Sequence, residues 1–302
     1  MTLCSYRSRV FTCRSPVLML AAIAVLSGLA GIEECRSQPI DVYEPATWQR
    51  PVLIAHRGGV VNDAASENSA AAIRLAAEQG FAMIEVDVRE SKDHVPVAFH
   101  DGSLLEAAGV DAAIEDLSLE QINSIRHRHT GEGILTLDHV FELCARLDLG
   151  VMLDIKTDGS QQFFRAIGGL LEKHDLSRSA ITFSGHPLAI RHLEGSVMFA
   201  ITEGEEESVR RGEAISLTAK FWFGLPRNLE DEMVEKLQAR GALVIPAINI
   251  FRYLSDSHME SAREDINRMQ SAGVDAFQID AVYAPLFESD GTESESTPTG
   301  TR

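Results

Sequence analysis

The chain has 302 residues, of which 45% are apolar, enough to form the core of one large α/β domain. Its 45 acidic and 27 basic residues give a formal net charge of −18. Because a surface this acidic repels polyanions, we expect no nucleic-acid substrate or partner.

The first 37 residues differ in composition from the rest of the chain. Three arginines precede an apolar run at residues 17–32, which is the arrangement of a secretory signal peptide. This run is short for a membrane span, so we expect cleavage after Ala30 or Ser37 and export to the periplasm or the medium. The alternative is an uncleaved amino-terminal anchor. Membrane contact is expected only through this segment or through a lipid substrate.

From residue 51 onward, short β-branched runs alternate with segments of helical periodicity, which is the pattern of βα units and a parallel sheet. Strands are predicted at residues 52–55, 83–88, 95–99, 151–155, 180–183, 197–201, 216–221, 243–248 and 275–279. Helices are predicted at residues 69–79, 137–149, 160–173, 187–193, 205–211, 229–240 and 259–272. Gly80, Gly241 and Gly273 each follow a predicted helix, where a left-handed C-terminal cap is favoured.

Eight βα repeats predict an α/β fold of the (β/α)₈ TIM barrel type over residues 50–288. One strand is surplus, and we interpret 95–99 as a hairpin at the barrel mouth. Residues 103–135 interrupt the alternation and are predicted to form a small, partly helical insertion after the second strand region. A doubly wound open sheet is the rival fold, but it needs a glycine-rich phosphate loop after the first strand, which is not found. The polar residues 289–302 predict a disordered tail.

Acidic side chains share one face of two predicted strands. Glu85 and Asp87 are two residues apart and point together, and Asp154 and Lys156 do the same on a later strand. In a closed barrel this polar side faces inward, near the carboxyl ends where barrel active sites lie. Three inward carboxylates are costly to bury without a compensating charge, and oxygen ligands favour Mg²⁺ or Ca²⁺. The alternative is a set of buried ion pairs with Arg57 and Lys156, without metal.

Two histidines stand at strand ends on either side of the carboxylate pair. His56 ends the first strand and His100 ends the run 95–99. One imidazole can act as general base and the other as general acid. Arg57 can bind phosphate oxygens through two parallel hydrogen bonds, and Lys156 offers a point charge to the same group. The sequence therefore predicts a metal-assisted phosphodiesterase with a small-molecule substrate.

Three other histidines are weaker candidates for the site. His127 and His129 form a His-x-His pair, but they lie in a charged stretch with no strand before it, which predicts a solvated loop. His186 follows a predicted strand and is a candidate for substrate contact.

With these residues the chain resembles the glycerophosphodiester phosphodiesterase family, within the superfamily of phospholipase C-like phosphodiesterases. The resemblance rests on four short motifs that occur in the same order as in the family: His56-Arg57-Gly58, Ser66-Glu67-Asn68-Ser69, Glu85-Val86-Asp87 and His100-Asp101. It covers the body from about residue 52 to residue 285.

The resemblance implies hydrolysis of glycerophosphodiesters to sn-glycerol 3-phosphate and an alcohol on a metal-containing barrel. It implies that Glu85 and Asp87 are metal ligands with Glu67 close to the metal. It also implies that His56 and His100 are the acid–base pair, and that Arg57 and Lys156 bind phosphate.

This sequence departs from the family pattern at two positions that bear on specificity. The family has Glu-x-Lys where this chain has Asp154-Ile155-Lys156, and the related sphingomyelinase D-like enzymes have an aspartate there. The family's Trp-Thr-Val-Asn motif is replaced in this chain by Pro246-Ala247-Ile248-Asn249. Two alternatives therefore stand beside the main prediction: a phosphodiesterase acting on a lysophospholipid or phosphosphingolipid, and a non-catalytic barrel that binds its ligand. An apolar lining in the insertion at 103–135, or near Phe251 and Tyr253, would favour the lipid substrate.

Overall fold

The computed structural model describes residues 38–253 and 256–287, which form a closed barrel surrounded by helices. The predicted signal segment (1–37) and all of the predicted tail (289–302) lie outside the described residues. Nine strands form the sheet: β1 (Val52–Ala55), β2 (Met83–Glu90), β3 (Pro96–Ala98), β4 (Gly150–Ile155), β5 (Ala180–Thr182), β6 (Met198–Ala200), β7 (Lys220–Gly224), β8 (Leu243–Ile248) and β9 (Ala276–Ile279). Strand β1 pairs in parallel with both β2 and β9, which closes a ring of eight strands. The prediction of a (β/α)₈ barrel is confirmed.

The surplus strand β3 is a hairpin, as predicted. It pairs antiparallel with the end of β2, with Val88 opposite Ala98. The one misplaced strand is β7, the sixth strand of the barrel, predicted at 216–221 and found at Lys220–Gly224. Ala219 has a left-handed backbone with φ of 60°, so an extended strand cannot run through it.

Helices cover the outside of the barrel. They are α1 (Ala70–Glu78), α2 (Leu105–Ala108), α3 (Leu119–Ile122), α4 (Leu137–Arg146), α5 (Gln161–Lys173), α6 (Pro187–Leu193), α7 (Glu203–Arg210), α8 (Asp231–Gln238) and α9 (His258–Ser271). Hydroxyl side chains of Ser69, Thr136, Ser160 and Thr202 accept backbone N–H bonds at the starts of α1, α4, α5 and α7. Among the helices that the structure describes, none has the length and apolar character needed to span a bilayer.

The alternation of side chains along the strands separates two apolar layers. Inward residues such as Ile54, Met83 and Met152 form the core inside the barrel, and Val42 packs against this core from the segment before β1. Outward residues such as Ile84 and Val86 pack against the helices. Since apolar side chains fill the amino-terminal half of the barrel interior, the polar residues of β2 and β4 are left at its carboxyl end.

Residues 103–135 form the predicted, partly helical insertion and contain α2 and α3. The insertion has a small apolar core of its own, which includes Leu104, Ile114 and Ile122. It is tied to the barrel by the ion pair between Arg89 of β2 and Glu115. The insertion therefore flanks the carboxyl end of β2, beside the polar residues.

Candidate active site

The three inward carboxylates meet at the carboxyl end of β2 and β4. Parallel pairing places Asp87 beside Asp154, and Glu85 lies one inward position earlier on β2. Glu85 and Asp87 are each only 1% exposed. One oxygen from each of Glu85, Asp87 and Asp154 lies within 4.8 Å of the other two, which is close enough for one cation to contact all three.

This group, called the acidic triad here, carries more negative charge than the lysine beside it balances. Lys156 Nζ lies 3.1 Å from Asp87 Oδ1 and forms an ion pair with Asp154. Three carboxylates and one ammonium nevertheless leave a formal charge of −2. Burial, followed by the charge of Asp87, raises the pKa of Glu85 well above its usual range. Burial also raises the pKa of Asp154, despite its bond to Lys156.

Unsatisfied oxygens identify the place where a cation fits. Glu85 Oε1 is buried and accepts no hydrogen bond from any described residue, and Asp87 Oδ1, also buried, has only the ion pair with Lys156. Buried carboxylate oxygens without partners are costly, and a divalent cation would satisfy them and neutralise the remaining charge. The acidic triad therefore fits a divalent cation with oxygen ligands, whereas ion pairing alone satisfies only part of it.

The loop between β1 and α1 donates hydrogen bonds to two of these carboxylates. The backbone N–H of Arg57 donates to Glu85 Oε2 at 2.7 Å, and Asn68 Nδ2 donates to Asp87 Oδ2 at 2.8 Å. Arg57 and Asn68 both have a φ of 55°, and Gly58 between them has a φ of 75°. A Cβ on Gly58 would lie 2.5 Å from Asn68 Cα, so glycine allows the two segments to approach each other.

His56 directly follows β1 and is held by a carboxylate that the sequence analysis did not assign to the site. Its Nδ1 lies 2.6 Å from Asp280 Oδ1, and its Nε2 lies 3.9 Å from Glu85 Oε2. Asp280 directly follows β9, and its Oδ2 accepts the backbone N–H of Ile250 at 2.6 Å. Burial tends to raise the pKa of Asp280, but the hydrogen bond and charge of His56 outweigh it, and the pKa is lowered. The available signal was a carboxylate at the end of a predicted barrel strand.

His100 has an equivalent arrangement, in which Asp101 supplies the carboxylate. Its Nδ1 lies 2.8 Å from Asp101 Oδ1, and its Nε2 lies 3.4 Å from Arg57 Nη2. Since a guanidinium only donates, Nε2 is the accepting nitrogen and the proton is assigned to Nδ1. Arg89 donates two hydrogen bonds to the carbonyl oxygen of His100, at 2.9 and 3.1 Å, and so fixes the backbone of this residue.

Glu67 lies in a different group from the acidic triad. Its carboxylate forms an ion pair with Arg57, and it lies near His100 and Asp101. Burial lowers the pKa of Arg57, but the charge and hydrogen bond of Glu67 outweigh it, so the pKa is raised. Glu67 thus orients the guanidinium beside His100. Its predicted place close to a metal remains a prediction.

The other histidines do not join this site. His127 is buried beside Phe99, with ring centroids 6.2 Å apart, and burial lowers its pKa. The expectation of a solvated loop is therefore wrong for His127, because the core of the insertion covers it, although His129 is exposed. The ring of His186 stacks on Phe164 at 5.7 Å and accepts a backbone N–H at the start of α6.

Among the described residues, two cavities are lined by barrel strands and the loops that follow them. A cleft of about 370 Å³ is lined by His56, Arg57, Glu67 and Asp280 together with apolar residues of the surrounding loops. A larger cavity of about 750 Å³ lies along β5, β6 and β7 and is lined by residues such as Phe183, Phe199 and Ile190. None of the candidate catalytic or metal-binding residues lines the larger cavity, whereas His56, Arg57 and Glu67 line the smaller cleft. His100 and the acidic triad line neither cavity.

Comparison with solved structures shows the same fold. The chain is similar to a crystal structure of a glycerophosphoryl diester phosphodiesterase from Parabacteroides distasonis, with a TM-score of 0.63 and 18% identity over 82% of this chain and 91% of that one. It is also similar to a phosphodiesterase from Oleispira antarctica in complex with the product sn-glycerol-3-phosphate, with a TM-score of 0.60 and 21% identity over 79% and 97% of the two chains.

Comparison of sequences identifies the family. The chain is 28% identical to a glycerophosphodiester phosphodiesterase from Caldanaerobacter subterraneus over 76% of its length and 94% of that protein. It is 32% identical to human glycerophosphodiester phosphodiesterase 1 over 69% of its length and 66% of that protein. The model of the glycerophosphoryl diester phosphodiesterase family matches residues 56–274, well over half of the chain. The chain therefore belongs to the glycerophosphoryl diester phosphodiesterase family.

Proposed function

We propose that the protein is a phosphoric diester hydrolase that cleaves glycerophosphodiesters to sn-glycerol 3-phosphate and an alcohol, with a divalent cation and two histidines. The observation that carries this proposal is the arrangement at one end of the barrel. Two imidazoles, each held by a carboxylate, lie beside three carboxylates that could hold a cation. Membership of the family supports the reaction class.

The two histidines are arranged for proton transfer. In each, Nδ1 bonds to a carboxylate, so Nε2 is the nitrogen that faces the substrate. In His100 this nitrogen has only a long contact, 3.4 Å, with Arg57, which the substrate can replace. One accepts the proton of the group that attacks phosphorus, which is water or the glycerol hydroxyl of the substrate, and the other gives a proton to the leaving alkoxide. Attack by the glycerol hydroxyl forms a cyclic phosphate, which water then opens to sn-glycerol 3-phosphate. Asp280 and Asp101 hold the rings in position and stabilise the protonated imidazole as it forms.

Two cationic side chains are placed to bind the phosphate. Burial lowers the pKa of Lys156, but Asp87 and Asp154 outweigh this effect and raise it, so the ammonium stays charged. Arg57 is oriented by Glu67 and reaches the space next to His100. Both groups can therefore bind phosphoryl oxygens between the two imidazoles.

We infer that Glu85, Asp87 and Asp154 hold the cation, and that it is Mg²⁺ or Ca²⁺ because all the protein ligands are oxygens. Such a cation supplies positive charge to a phosphoryl oxygen when it is bound. Strand β2, together with hydrogen bonds from Arg57 and Asn68, orients the carboxylates of Glu85 and Asp87 toward the same position.

The proposal is tested on a panel of phosphodiesters, with and without EDTA, with products identified by mass. We expect sn-glycerol 3-phosphate and choline from glycerophosphocholine, loss of activity in EDTA, and recovery with Mg²⁺ or Ca²⁺. His56→Ala and His100→Ala should each lower kcat/KM by about 10²–10⁴-fold. Full activity in either variant would contradict the acid–base roles. Cation binding without turnover of any diester would indicate a non-catalytic barrel.

A second experiment separates the two histidines. A p-nitrophenyl leaving group departs without protonation, so it rescues the variant that lacks the general acid and does not rescue the variant that lacks the general base. We expect rescue of only one of His56→Ala and His100→Ala. Equal loss on both substrates in both variants would contradict a division of roles.

We also propose that residues 1–37 direct export and that the substrate is a small molecule. The intact mass of the protein recovered from the periplasm or the medium should correspond to cleavage after Ala30 or Ser37. A mass that includes the whole segment, in protein recovered with membranes, would support the uncleaved anchor instead. The acidic surface predicts no binding to nucleic acid.

A further inference from the structure

Large apolar side chains are exposed in the cleft beside His56. Of the six such side chains found exposed in residues 38–253 and 256–287, four line this cleft: Val61 is 46% exposed, Ile250 49%, Phe251 47% and Val282 46%. Exposed apolar residues scattered singly are ordinary on a protein surface. Their concentration in one cleft distinguishes this cleft from the rest of the described surface.

These four residues, called the apolar wall here, come from three loops at the carboxyl ends of adjacent strands. Val61 follows β1, Ile250 and Phe251 follow β8, and Val282 follows β9. Because β1, β9 and β8 are neighbours in the sheet, the three loops meet on one side of the barrel mouth. This is the side on which His56 and Asp280 lie.

The apolar wall has a fixed position relative to the candidate catalytic group. Asp280 bonds to His56 through one carboxylate oxygen and to the backbone N–H of Ile250 through the other. The ring of Phe251 lies 6.1 Å from the imidazole of His56, and the guanidinium of Arg252 lies 4.5 Å from the same phenyl ring. A substrate with its phosphate at His56 therefore has its neighbouring atoms against the wall.

On the basis of the proposed function, we propose that the wall binds an aliphatic chain carried by the diester. The cleft of about 370 Å³ has the size of a small-molecule site. Its polar part, with Arg57 and His56, suits a phosphate, and its apolar part suits a chain attached a few bonds away. A fully deacylated diester would leave the wall in water. A protein or membrane partner would cover only the rim, whereas the wall extends to the imidazole.

Two series of diesters test this proposal and identify which side of the phosphate carries the chain. The first is glycerophospho-n-alkyl esters, with the chain on the leaving alcohol. The second is 1-acyl glycerophosphocholines, with the chain on the glycerol. Each is used below its aggregation concentration. In at least one series we expect kcat/KM to rise between about two- and fourfold per methylene until the wall is covered.

Single substitutions test whether the aliphatic chain of the substrate lies against the apolar wall. Phe251→Ser and Val282→Ser should each flatten the dependence of kcat/KM on chain length. Ile190→Ser is the matched control, because Ile190 is also an exposed apolar residue (43%) but lines the larger cavity. This control should retain the wild-type dependence. n-Alkyl phosphates, which are not hydrolysed, should inhibit with the same dependence on chain length, which gives a readout apart from turnover.

Three outcomes would overturn the proposal while leaving the proposed function intact. They are hydrolysis of glycerophosphocholine with no chain-length dependence in either series, a gain that appears only with aggregated lipid or vesicles, and flattening by Ile190→Ser instead of Phe251→Ser. Failure to hydrolyse any diester, with or without a chain, would instead remove the proposed function itself.

Discussion

At the scale of residues, the pairing of His56 with Asp280 makes the sharpest prediction. Asp280→Asn keeps the shape of the side chain but removes the charge that favours a protonated imidazole. We expect kcat to fall by about 10²-fold or more, with a smaller change in KM. The measurement is steady-state kinetics on glycerophosphocholine.

The double variant His56→Ala/Asp280→Asn is the control for this prediction. Because Asp280 is expected to act through His56, the double variant should be no slower than His56→Ala alone. Additive losses would show that Asp280 affects the reaction by another route, for example by holding the loop that begins at Ile250.

The buried acidic triad predicts that cation affinity depends on pH. Glu85 has a raised pKa, so it must lose a proton when a cation binds. Affinity for Mg²⁺ or Ca²⁺ should rise with pH by up to about tenfold per unit for each proton released. Calorimetry in buffers of different ionisation enthalpy counts those protons. Glu142→Gln, which alters an exposed ion pair, should behave as wild type, and a pH-independent affinity would contradict the prediction.

The raised pKa of Glu85 also determines how the stability of the fold depends on pH when no cation is bound. Without a cation, the folded state holds the Glu85 proton more tightly than the unfolded state. Its contribution to stability is therefore present below the usual carboxyl pKa and is lost as pH rises through the folded pKa. A bound cation should offset this loss, because it binds only the folded state.

Much of the candidate site could be predicted from the sequence, because several of its residues lie at regular positions on two strands. The two-residue period of β2 and β4 predicted that Glu85, Asp87 and Asp154 face inward, and the structure places them so. The pairing of His56 with Asp280 joins residues 224 positions apart. Only closure of the barrel brings β9 next to β1, so no local pattern could predict this pair.

At the scale of elements, the loop between β1 and α1 controls the position of the site. Gly59 has a φ of +136°, and a Cβ there would lie 2.2 Å from the carbonyl oxygen of Ala72 in α1. Gly59→Ala should therefore lower the free energy of unfolding by about 1–3 kcal/mol or more, and should weaken cation binding by moving Arg57 and Asn68. Urea denaturation and calorimetry measure the two effects.

Gly80→Ala is the matched control for this substitution. Gly80 also has a positive φ, of +78°, but a Cβ there meets no atom within 4 Å. We expect it to cost only the backbone strain, about 1–2 kcal/mol, with no change in cation affinity. Equal effects of the two substitutions on both measurements would contradict the role given to the close approach of the β1 loop and α1.

Most elements could be predicted because each has a distinct period. Strand β7 was the exception, because the apolar residues Ile215 and Leu217 extend the strand pattern into the turn that precedes it. The left-handed residue in that turn is an alanine, which gives no signal comparable to glycine. The insertion was recognised as a break in alternation, but its small core around Ile114 and its cover over His127 depend on tertiary packing.

At the scale of the whole molecule, the barrel explains why the site lies where it does. Apolar side chains fill the amino-terminal half of the interior, and polar residues collect where the strands end. Closure then places the first strand between β2 and β9, so that His56 lies between the acidic triad and Asp280. We propose that this closure places the two histidines around a cation held by Glu85, Asp87 and Asp154.

This arrangement can be seen in a crystal soaked with Mn²⁺ and glycerol 3-phosphate, with anomalous data collected at the manganese edge. We expect one strong peak in contact with carboxylate oxygens of Glu85, Asp87 and Asp154, with the phosphate between His56 and His100. A peak between Glu67, His100 and Asp101, or no peak while Lys156 keeps its ion pairs with Asp87 and Asp154, would contradict it.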